Sequence, residues 1–344
     1  MKIAFTIATA SHLAQAKTLA DSFLFHHPSY NFYIILLDRT GGIDLSFFKH
    51  IQVIEIEQLQ LPFFHEMVER YSVFELSNAL KPFCTEFFFQ SGDNIEGLLY
   101  FDSDIMVYNE LTDIDSLLQI HDLILTPHLF SPPPYDGLKV NENSFLSSGI
   151  YNGGFFAIKK SMNSLNFLNW WKDRLRTQCF VNFAEGMFVD QLWLNLVPLY
   201  FNDVKILTHI GYNVAFWNLH ERLLTKVNNK VLMVNAQVPL VFFHFSGYDL
   251  NNPGFISKHQ TRISFSERPD TLHVYQHYLQ TVLDNGYDRF SIQRCYFIVE
   301  KEKKETIQQE RVLEQGSQEK RKSLLNSFLL RCRLSLKIML KGKI

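Results

Sequence analysis

The chain has 344 residues, of which 47% are hydrophobic and 20% are charged, so it can bury a large core and is not disordered as a whole. Its formal net charge of −2 is unevenly spread, because the segment from Lys320 onward holds eight Lys or Arg and no Asp or Glu. The acidic remainder, which has no base-stacking motif, argues against nucleic-acid binding, and its longest apolar runs fall far short of the roughly 20 residues that a membrane helix needs.

The first half of the chain predicts strands that alternate with helices. We expect strands over residues 2–8, 31–37, 51–56, 97–101 and 123–126, and helices over 11–26, 72–89 and 113–119. Ser11 is predicted to cap the first helix, and Pro82 to interrupt or kink the second. Near-continuous apolar strands between helices predict an α/β fold with a mostly parallel, Rossmann-like, doubly wound sheet flanked by helices.

The second half is less regular. We expect a strand over 153–158 that begins at Tyr151, a helix that carries Trp170 and Trp171, a helix over 188–196 and a strand over 238–245. From about Glu300 the composition shifts to Lys, Glu and Gln, which predicts an exposed helix or linker. A basic segment with apolar residues at helical spacing follows over 324–344. The predicted organisation is a catalytic domain over 1–290 and a charged linker with a basic helical tail over 291–344.

The cysteines and the basic tail bear on the expected location. Cys84, Cys179, Cys295 and Cys332 are scattered without a Cys-x-x-Cys pair, and the first residues lack a signal-peptide cleavage pattern. These features predict a reducing cytoplasm. A basic amphipathic tail predicts peripheral binding to an anionic membrane surface on the inner face of the cell membrane. A tail helix that packs on the body or on a partner subunit is the alternative.

Two carboxylates follow the predicted strand over 97–101. The sequence Tyr-Phe-Asp-Ser-Asp-Ile places Asp102 and Asp104 one residue apart at the end of a hydrophobic run. Buried carboxylates are costly unless they are paired, and a divalent cation is a common partner. Ligands of doubly wound sheets bind beyond the carboxyl ends of the strands. The pattern therefore predicts a site for a metal ion and an anionic ligand at this end of the sheet.

Four ordered motifs carry a family resemblance. The segments YFDSDI (100–105), YNGGFFAI (151–158), VDQLWLN (189–195) and HFSG (244–247) follow one another over roughly residues 1–260. The chain thus resembles nucleotide-sugar glycosyltransferases of the GT-A fold, and in particular the retaining glycosyltransferase family 8. The resemblance implies an enzyme that uses Mn²⁺ or Mg²⁺ to move a hexose from a UDP-sugar to a glycan or lipid-linked acceptor in surface polysaccharide synthesis, with retention of configuration.

The resemblance also implies roles for individual residues. It assigns Asp102, Asp104 and His244 to the metal ion, and Asp190 and Gln191 to catalysis on the donor sugar. The residues that it implies for donor binding are Ala8, Thr9, Asp38, Lys81, Asp102, Ser103, Asn152, Gly153, Gly247 and Lys258.

The chain departs from the family after the HFSG motif. Family members often carry Lys-Pro-Trp a few residues later, whose Lys holds the diphosphate, whereas residues 248–253 read Tyr-Asp-Leu-Asn-Asn-Pro. Lys258, His259 and Arg262 are the alternative sources of that cation.

Two other functions compete with the transferase. A haloacid-dehalogenase-like phosphatase also has Asp-x-Asp after a strand, but near the first strand and followed by Gly-Thr or Gly-Val, whereas here Ile105-Met106-Val107 follows about 100 residues into the chain. A non-catalytic glycosyltransferase-like protein held at the membrane by its tail is the other alternative. The intact Asp102, Asp104, Asp190 and His244 argue against it.

Overall fold

The computed structural model describes the backbone of residues 1–92, 95, 97–227 and 231–341, and the side chains of these residues except 316, 317 and 334–341. Contacts divide the chain into two units, Met1–Cys295 and the residues from Tyr296 onward. The sequence-based boundary at residue 290 falls just before this division.

The strands are short and spread along the first unit. They are β1 (Lys2–Ala8), β2 (Asn31–Leu36), β3 (Gln52–Glu55), β4 (Gly97–Phe101), β5 (Ile105–Val107), β6 (Leu123–Pro127), β7 (Tyr151–Lys159), β8 (Val181–Asn182), β9 (Met187–Phe188), β10 (Val204–Ile206), β11 (Leu224–Val227), β12 (Val231–Val234), β13 (Val238–Pro239) and β14 (Phe242–His244).

The helices follow most of these strands. They are α1 (Leu13–His26), α2 (Phe64–Arg70), α3 (Val73–Ala79), α4 (Lys81–Ser91), α5 (Ile114–Ile120), α6 (Glu142–Ser148), α7 (Met162–Leu175), α8 (Gln191–Leu194), α9 (Val197–Tyr200), α10 (Pro269–Asp284), α11 (Tyr287–Phe290) and α12 (Tyr296–Lys341).

Seven of the strands form the central sheet, in the order β10-β6-β7-β4-β1-β2-β3. Neighbouring strands run parallel except at β7, which is antiparallel to both β4 and β6. The α/β class, the mostly parallel sheet with flanking helices and the helical C-terminal segment are thus confirmed. Three smaller sheets of the described residues, β14-β5, β11-β12-β13 and β8-β9, are antiparallel.

Both faces of the central sheet are covered, which explains why its strands are apolar on successive residues. On one face Phe101 of β4 packs against Phe23 of α1, with ring centroids 5.4 Å apart. On the other face Tyr100 stacks on Phe156 of β7, which contacts Trp171 of α7 edge to face. Alternate residues of β4 therefore belong to opposite halves of the core.

Several elements begin or end elsewhere than the sequence predicts. Ser11 does not cap the first helix: a 3₁₀ turn over Ala10–His12 precedes α1, and the Ser11 hydroxyl bonds Thr9 and His12 side chains instead. The interruption expected near Pro82 in the helix over 72–89 is confirmed: the helix is broken at Leu80 into α3 and α4, because Pro82 occupies the first turn of a new helix, where its missing N–H is no loss.

Two predictions in the second half were also too simple. The helix expected over 188–196 begins only at Gln191, after the short strand β9 and a Val189 with φ of 39°. The strand expected over 238–245 is two strands, β13 and β14, which belong to different sheets. The apolar run is continuous in sequence and therefore does not indicate where the chain passes from one sheet to the other.

The second unit is the helix α12, in which the side chains of Leu324, Leu325, Phe328, Leu329 and Leu330 are exposed. The predicted tail positions Leu336, Met339 and Leu340 lie outside the described side chains. Within the described part of the chain, none of the helices is both long and apolar enough to cross a membrane.

Candidate metal and nucleotide site

The candidate site lies where the carboxyl ends of β1 and β4 meet the beginning of β7. Because β7 is antiparallel to β4, its first residues lie at the same end of the sheet as the last residues of β4. The Asp102 N–H donates to the Gly154 carbonyl at 2.7 Å. Strand pairing therefore joins two of the four sequence motifs directly.

Asp102, Asp104 and His244 form one cluster. One ligand atom from each residue lies within 4.8 Å of the other two. His244 Nε2 is 3.0 Å from Asp104 Oδ1 and 4.0 Å from Asp102 Oδ2. His244 reaches the cluster because β14 pairs with β5, so that His244 lies opposite Ile105, the residue after Asp104.

Asp104 and His244 shift each other's protonation. Burial by itself would raise the pKa of Asp104, but the nearby His244 outweighs burial and lowers it. Burial would lower the pKa of His244, but Asp104 outweighs burial and raises it. Each residue thus favours the charged form of the other. When His244 is protonated, its Nε2–H faces Asp104 Oδ1 at 3.0 Å, and a metal cation held between these two atoms would take the place of that proton.

The donor set fits a divalent cation. Carboxylate oxygens suit Mg²⁺ and Mn²⁺, and an imidazole nitrogen suits a transition metal, so the mixed set favours Mn²⁺. The second oxygen of Asp102 is already bound, because Oδ1 accepts from the Tyr100 hydroxyl at 2.7 Å and lies 3.3 Å from Lys81 Nζ. Only Oδ2 of Asp102 is left to face Asp104 and His244.

Lys81 lies beneath the cluster and is 1% exposed. Its ammonium donates to Asp190 Oδ2 and to the Gly153 carbonyl, both at 2.9 Å. Burial opposes a charge there, but the carboxylates of Asp102 and Asp190 outweigh it and raise the pKa of Lys81. Lys81 is therefore a buried cation that links the strand β4 motif with the motif around Asp190.

Asp190 and Gln191, the expected catalytic pair, contact the start of β7. Asp190 is 1% exposed and is held by Lys81. Gln191 Oε1 accepts from the Gly153 N–H at 3.3 Å and lies 3.4 Å from Asn152 Nδ2. These contacts bring the second and third motifs together inside the protein, beside the metal cluster.

The two glycines of the second motif make room for these side chains. A Cβ on Gly153 would lie 2.5 Å from Asp190 Oδ2. A Cβ on Gly154 would lie 2.5 Å from His244 Cε1 and 2.8 Å from Asp102 Oδ2. The resemblance implies that Gly153 contacts the donor, but the space beside both glycines is filled by residues of the site itself.

A cleft of about 320 Å³ opens beside Asp102 and Asp104. Of the predicted donor-binding residues, those that line it are Ala8, Thr9, Asp102, Ser103, Gly247 and Lys258. Lys258 is exposed, and among the described residues it has no ion-pair partner. The Lys258 N–H donates to the Gly247 carbonyl at 3.0 Å, which fixes the backbone of Lys258 at the edge of the cleft.

The other predicted residues lie behind the cleft surface. Asp38 is buried, and its carboxylate accepts from the Ala10 N–H at 3.3 Å, which ties the end of β2 to the turn after β1. Arg262, one alternative for the missing cation, binds the carbonyls of Pro134, Leu138 and Val140 and is therefore committed to the proline-rich loop.

Some residues of the site are missing from the sequence-based set. His12, Phe74 and Asn78 line the cleft, and Asn213 touches His244 from behind. Tyr100 could have been found, because side chains two residues apart share a face of a strand and Tyr100 thus lies beside Asp102. Asn213 carries no such signal, since it lies in an irregular segment between β10 and β11.

Comparisons with known proteins were made for sequence and for structure. No family model matches the chain. The uncharacterized protein YfnF of Bacillus subtilis (strain 168) is 24% identical over 242 residues, which are 68% of this chain and 75% of YfnF. Among solved structures, the galactosyltransferase LgtC in complex with donor and acceptor sugar analogs has 14% identity, a TM-score of 0.43 and coverage of 83% of this chain and 96% of LgtC. The bifunctional glycosyltransferase WbbM has 11% identity, a TM-score of 0.48 and coverage of 87% and 51%. Both of these structures are glycosyltransferases.

Proposed function

We propose that this protein is a metal-dependent glycosyltransferase that moves a hexose from a nucleotide sugar, a UDP-sugar in the first instance, to a glycan or lipid-linked acceptor. The observation that carries the proposal is the convergence of Asp102, Asp104 and His244 at the edge of a cleft that also holds Lys258. Two carboxylates and an imidazole beside a free ammonium suit a diphosphate bridged by a divalent cation.

The proposed reaction breaks the bond between the sugar C1 and a phosphate oxygen and forms a bond between C1 and an acceptor hydroxyl, whose proton leaves with the phosphate. Mn²⁺ or Mg²⁺ held by Asp102, Asp104 and His244 would neutralise charge on the leaving diphosphate. Lys258 takes the role of the family's missing lysine, because it is the exposed cation nearest in sequence to the HFSG motif that lines the cleft.

The cleft also has a place for the nucleoside. Its lining includes Ala8 and Thr9 from the end of β1 and Val73 and Phe74 from α3. Phe74 is exposed, and an aromatic ring of this kind stacks on a base at little steric cost. We assign the base and ribose to the part of the cleft at Phe74 and the diphosphate to the part at Asp104 and Lys258.

The sugar is assigned to the side of the metal cluster where Asn152, Asp190 and Gln191 lie. In this structure the Asp190 carboxylate is paired with Lys81. We propose that it stabilises positive charge on the sugar electrostatically, as one of the charged groups of the site. We propose retention of configuration, in keeping with the resemblance to family 8. The basic, apolar α12 tail is proposed to bind anionic membranes, where a lipid-linked acceptor would be presented.

The test is hydrolysis and transfer with a panel of nucleotide sugars, with and without Mn²⁺. Asp104→Asn is expected to lower Mn²⁺-dependent turnover by more than about 100-fold, because a metal-assisted step supplies several kcal/mol of charge stabilisation. Asp173→Asn, on the exposed surface of α7, is the matched control and keeps wild-type turnover.

A thermal-shift screen of the same compounds gives a second readout. A nucleotide sugar that is bound raises the melting temperature only with Mn²⁺ present, and Asp104→Asn abolishes that shift. Turnover by Asp104→Asn equal to that of the wild type would refute the metal site. The absence of any shift and any turnover with all donors would refute the transferase itself. Anomeric analysis of the product by NMR tests retention.

A further inference from the structure

We infer that Asn213 is a positioning residue that fixes the ring of His244 for metal binding, and that it does so as the end of a chain of buried amides. The amide chain consists of Gln191, Asn152 and Asn213. The inference rests on the proposed metal-dependent function and adds to it a residue that supports the metal ligand from behind.

Asn213 holds the side of His244 that faces away from the carboxylates. Its Oδ1 lies 3.3 Å from His244 Nδ1, while its Nδ2 donates to Thr126 Oγ1 and to Asn152 Oδ1, both at 3.0 Å. Asn213 is 1% exposed and adopts a φ of 52°, a left-handed conformation that asparagine tolerates better than most residues. Its backbone and its side chain thus both serve this contact.

Backbone groups fix the direction of every bond in the amide chain. The Gly154 N–H donates to Asn152 Oδ1 at 3.1 Å, so this atom must be the amide oxygen. Asn213 must therefore turn its nitrogen toward Asn152 and its oxygen toward His244. His244 Nδ1 must then carry a hydrogen, because the atom that it faces accepts only.

The other end of the chain is fixed in the same way. The Gly153 N–H donates to Gln191 Oε1 at 3.3 Å, and Gln191 Nε2 donates to the Ser148 carbonyl at 2.8 Å. Asn152 Nδ2 faces Gln191 Oε1 and also His128 Nε2, which is an acceptor because His128 Nδ1 faces the Ile150 carbonyl. Burial lowers the pKa of His128 to about 4, so this ring is neutral at pH 7.

The consequence for His244 is a defined ligand atom. With a metal ion in place of the proton between Nε2 and Asp104, the ring would be neutral, and the hydrogen on Nδ1 would leave the lone pair on Nε2, 3.0 Å from Asp104 Oδ1. Metal-binding histidines commonly donate their other N–H to an acceptor that sets the tautomer and the ring orientation. Asn213 occupies that position here. Trp217 contacts the ring edge to face at 5.2 Å and restricts its rotation.

The experiment compares Asn213→Leu, which removes the acceptor, with Asn213→Asp, which keeps an oxygen opposite His244 Nδ1. The probe is Mn²⁺ alone, measured by electron paramagnetic resonance of the free ion. Asn213→Leu is expected to weaken Mn²⁺ binding by about 10- to 100-fold, the range found for such supporting residues. Asn213→Asp is expected to lose less Mn²⁺ affinity than Asn213→Leu, because it keeps an oxygen opposite His244 Nδ1 although it gives up the donor to Asn152 Oδ1.

The matched control is Asn163→Leu. The Asn163 Nδ2 also donates to two groups, Asp122 Oδ2 and the Asn202 carbonyl, but at the opposite end of β6. The Asn163→Leu variant is expected to have a lower free energy of unfolding and an unchanged affinity for Mn²⁺. Equal Mn²⁺ affinity of Asn213→Leu and the wild type, or equal losses in Asn213→Asp and Asn213→Leu, would overturn the inference.

A readout without metal separates this inference from the proposed function. Long-range proton–nitrogen NMR of histidine-labelled protein reports the tautomer of each ring, and His244→Gln identifies the resonances of His244. The wild type is expected to show a hydrogen-bonded Nδ1–H signal for His244, whether or not Nε2 also carries a proton toward Asp104, and Asn213→Leu to lose that signal. Wild-type protein that shows the signal but binds no Mn²⁺ would refute the proposed metal function alone. An Asn213→Leu variant that keeps the wild-type signal would refute the role of Asn213.

Discussion

Lys81→Met tests whether the buried ammonium stabilises the site or contacts the donor. The change removes the partner of Asp190, a carboxylate that is 1% exposed and whose Oδ2 lies 2.9 Å from Lys81 Nζ. Removing one member of a buried ion pair costs about 3–5 kcal/mol of unfolding free energy, because the other charge stays behind unpaired. Asp190→Asn should cost less, about 1–3 kcal/mol, because Lys81 keeps Asp102 at 3.3 Å.

The double variant Lys81→Met/Asp190→Asn removes both charges, so its cost should fall short of the sum of the single costs by about 2 kcal/mol or more. Urea unfolding followed by tryptophan fluorescence measures these values, since Trp170, Trp171, Trp193 and Trp217 all lie in the first unit. Costs that add within about 0.5 kcal/mol would refute the buried pair. A Lys81→Met protein of wild-type stability that no longer binds UDP with Mn²⁺ would favour direct contact with the donor, at its sugar or its diphosphate, as the family resemblance implies.

Two further predictions concern the glycine beside the metal cluster and the tail. Gly154→Ala should lower the free energy of unfolding by about 1–3 kcal/mol and weaken Mn²⁺ binding in calorimetric titration, because its Cβ would collide with His244 and Asp102. Gly254→Ala is the control and should change neither the stability nor the Mn²⁺ affinity, because a Cβ there meets nothing within 4 Å. Replacing Lys320, Arg321 and Lys322 by Glu should reduce sedimentation with anionic liposomes but not with neutral ones, since each basic residue near an anionic surface contributes about 1 kcal/mol of binding free energy. Activity on a soluble acceptor should persist. Undiminished sedimentation with anionic liposomes would refute membrane binding by the tail.

Most of the fold could be predicted from local patterns. The apolar strands at 2–8, 31–36 and 97–101 are buried on both faces and carry their signal in consecutive residues, so their class and position follow from sequence. Pro82 also marks the interruption between α3 and α4, because proline favours the first turn of a helix. The change of sheet between β13 and β14 could not be predicted, because both strands come from one apolar run.

The candidate site divides in the same way. Asp102, Asp104 and His244 were predicted because each stands in a motif, and the structure brings them within one cluster. The roles of the residues around this cluster depend on contacts between distant parts of the chain, which local sequence patterns do not show. Lys81 was expected at the donor but pairs with Asp190, which lies 109 positions later in the chain.

The amide chain links residues of the sequence motifs with a residue outside them. Asn152 and Gln191 belong to motifs, and each could be read as a contact to the sugar. In the structure both carry bonds that end at His244, through Asn213, a residue in no motif. Each side-chain amide has one acceptor oxygen and one donor nitrogen. Reversing any one of the three amides would therefore place donor against donor and acceptor against acceptor at its contacts in the chain. A substitution at Gln191 should therefore affect Mn²⁺ affinity as well as turnover, a coupling that a residue acting only on the sugar would not produce.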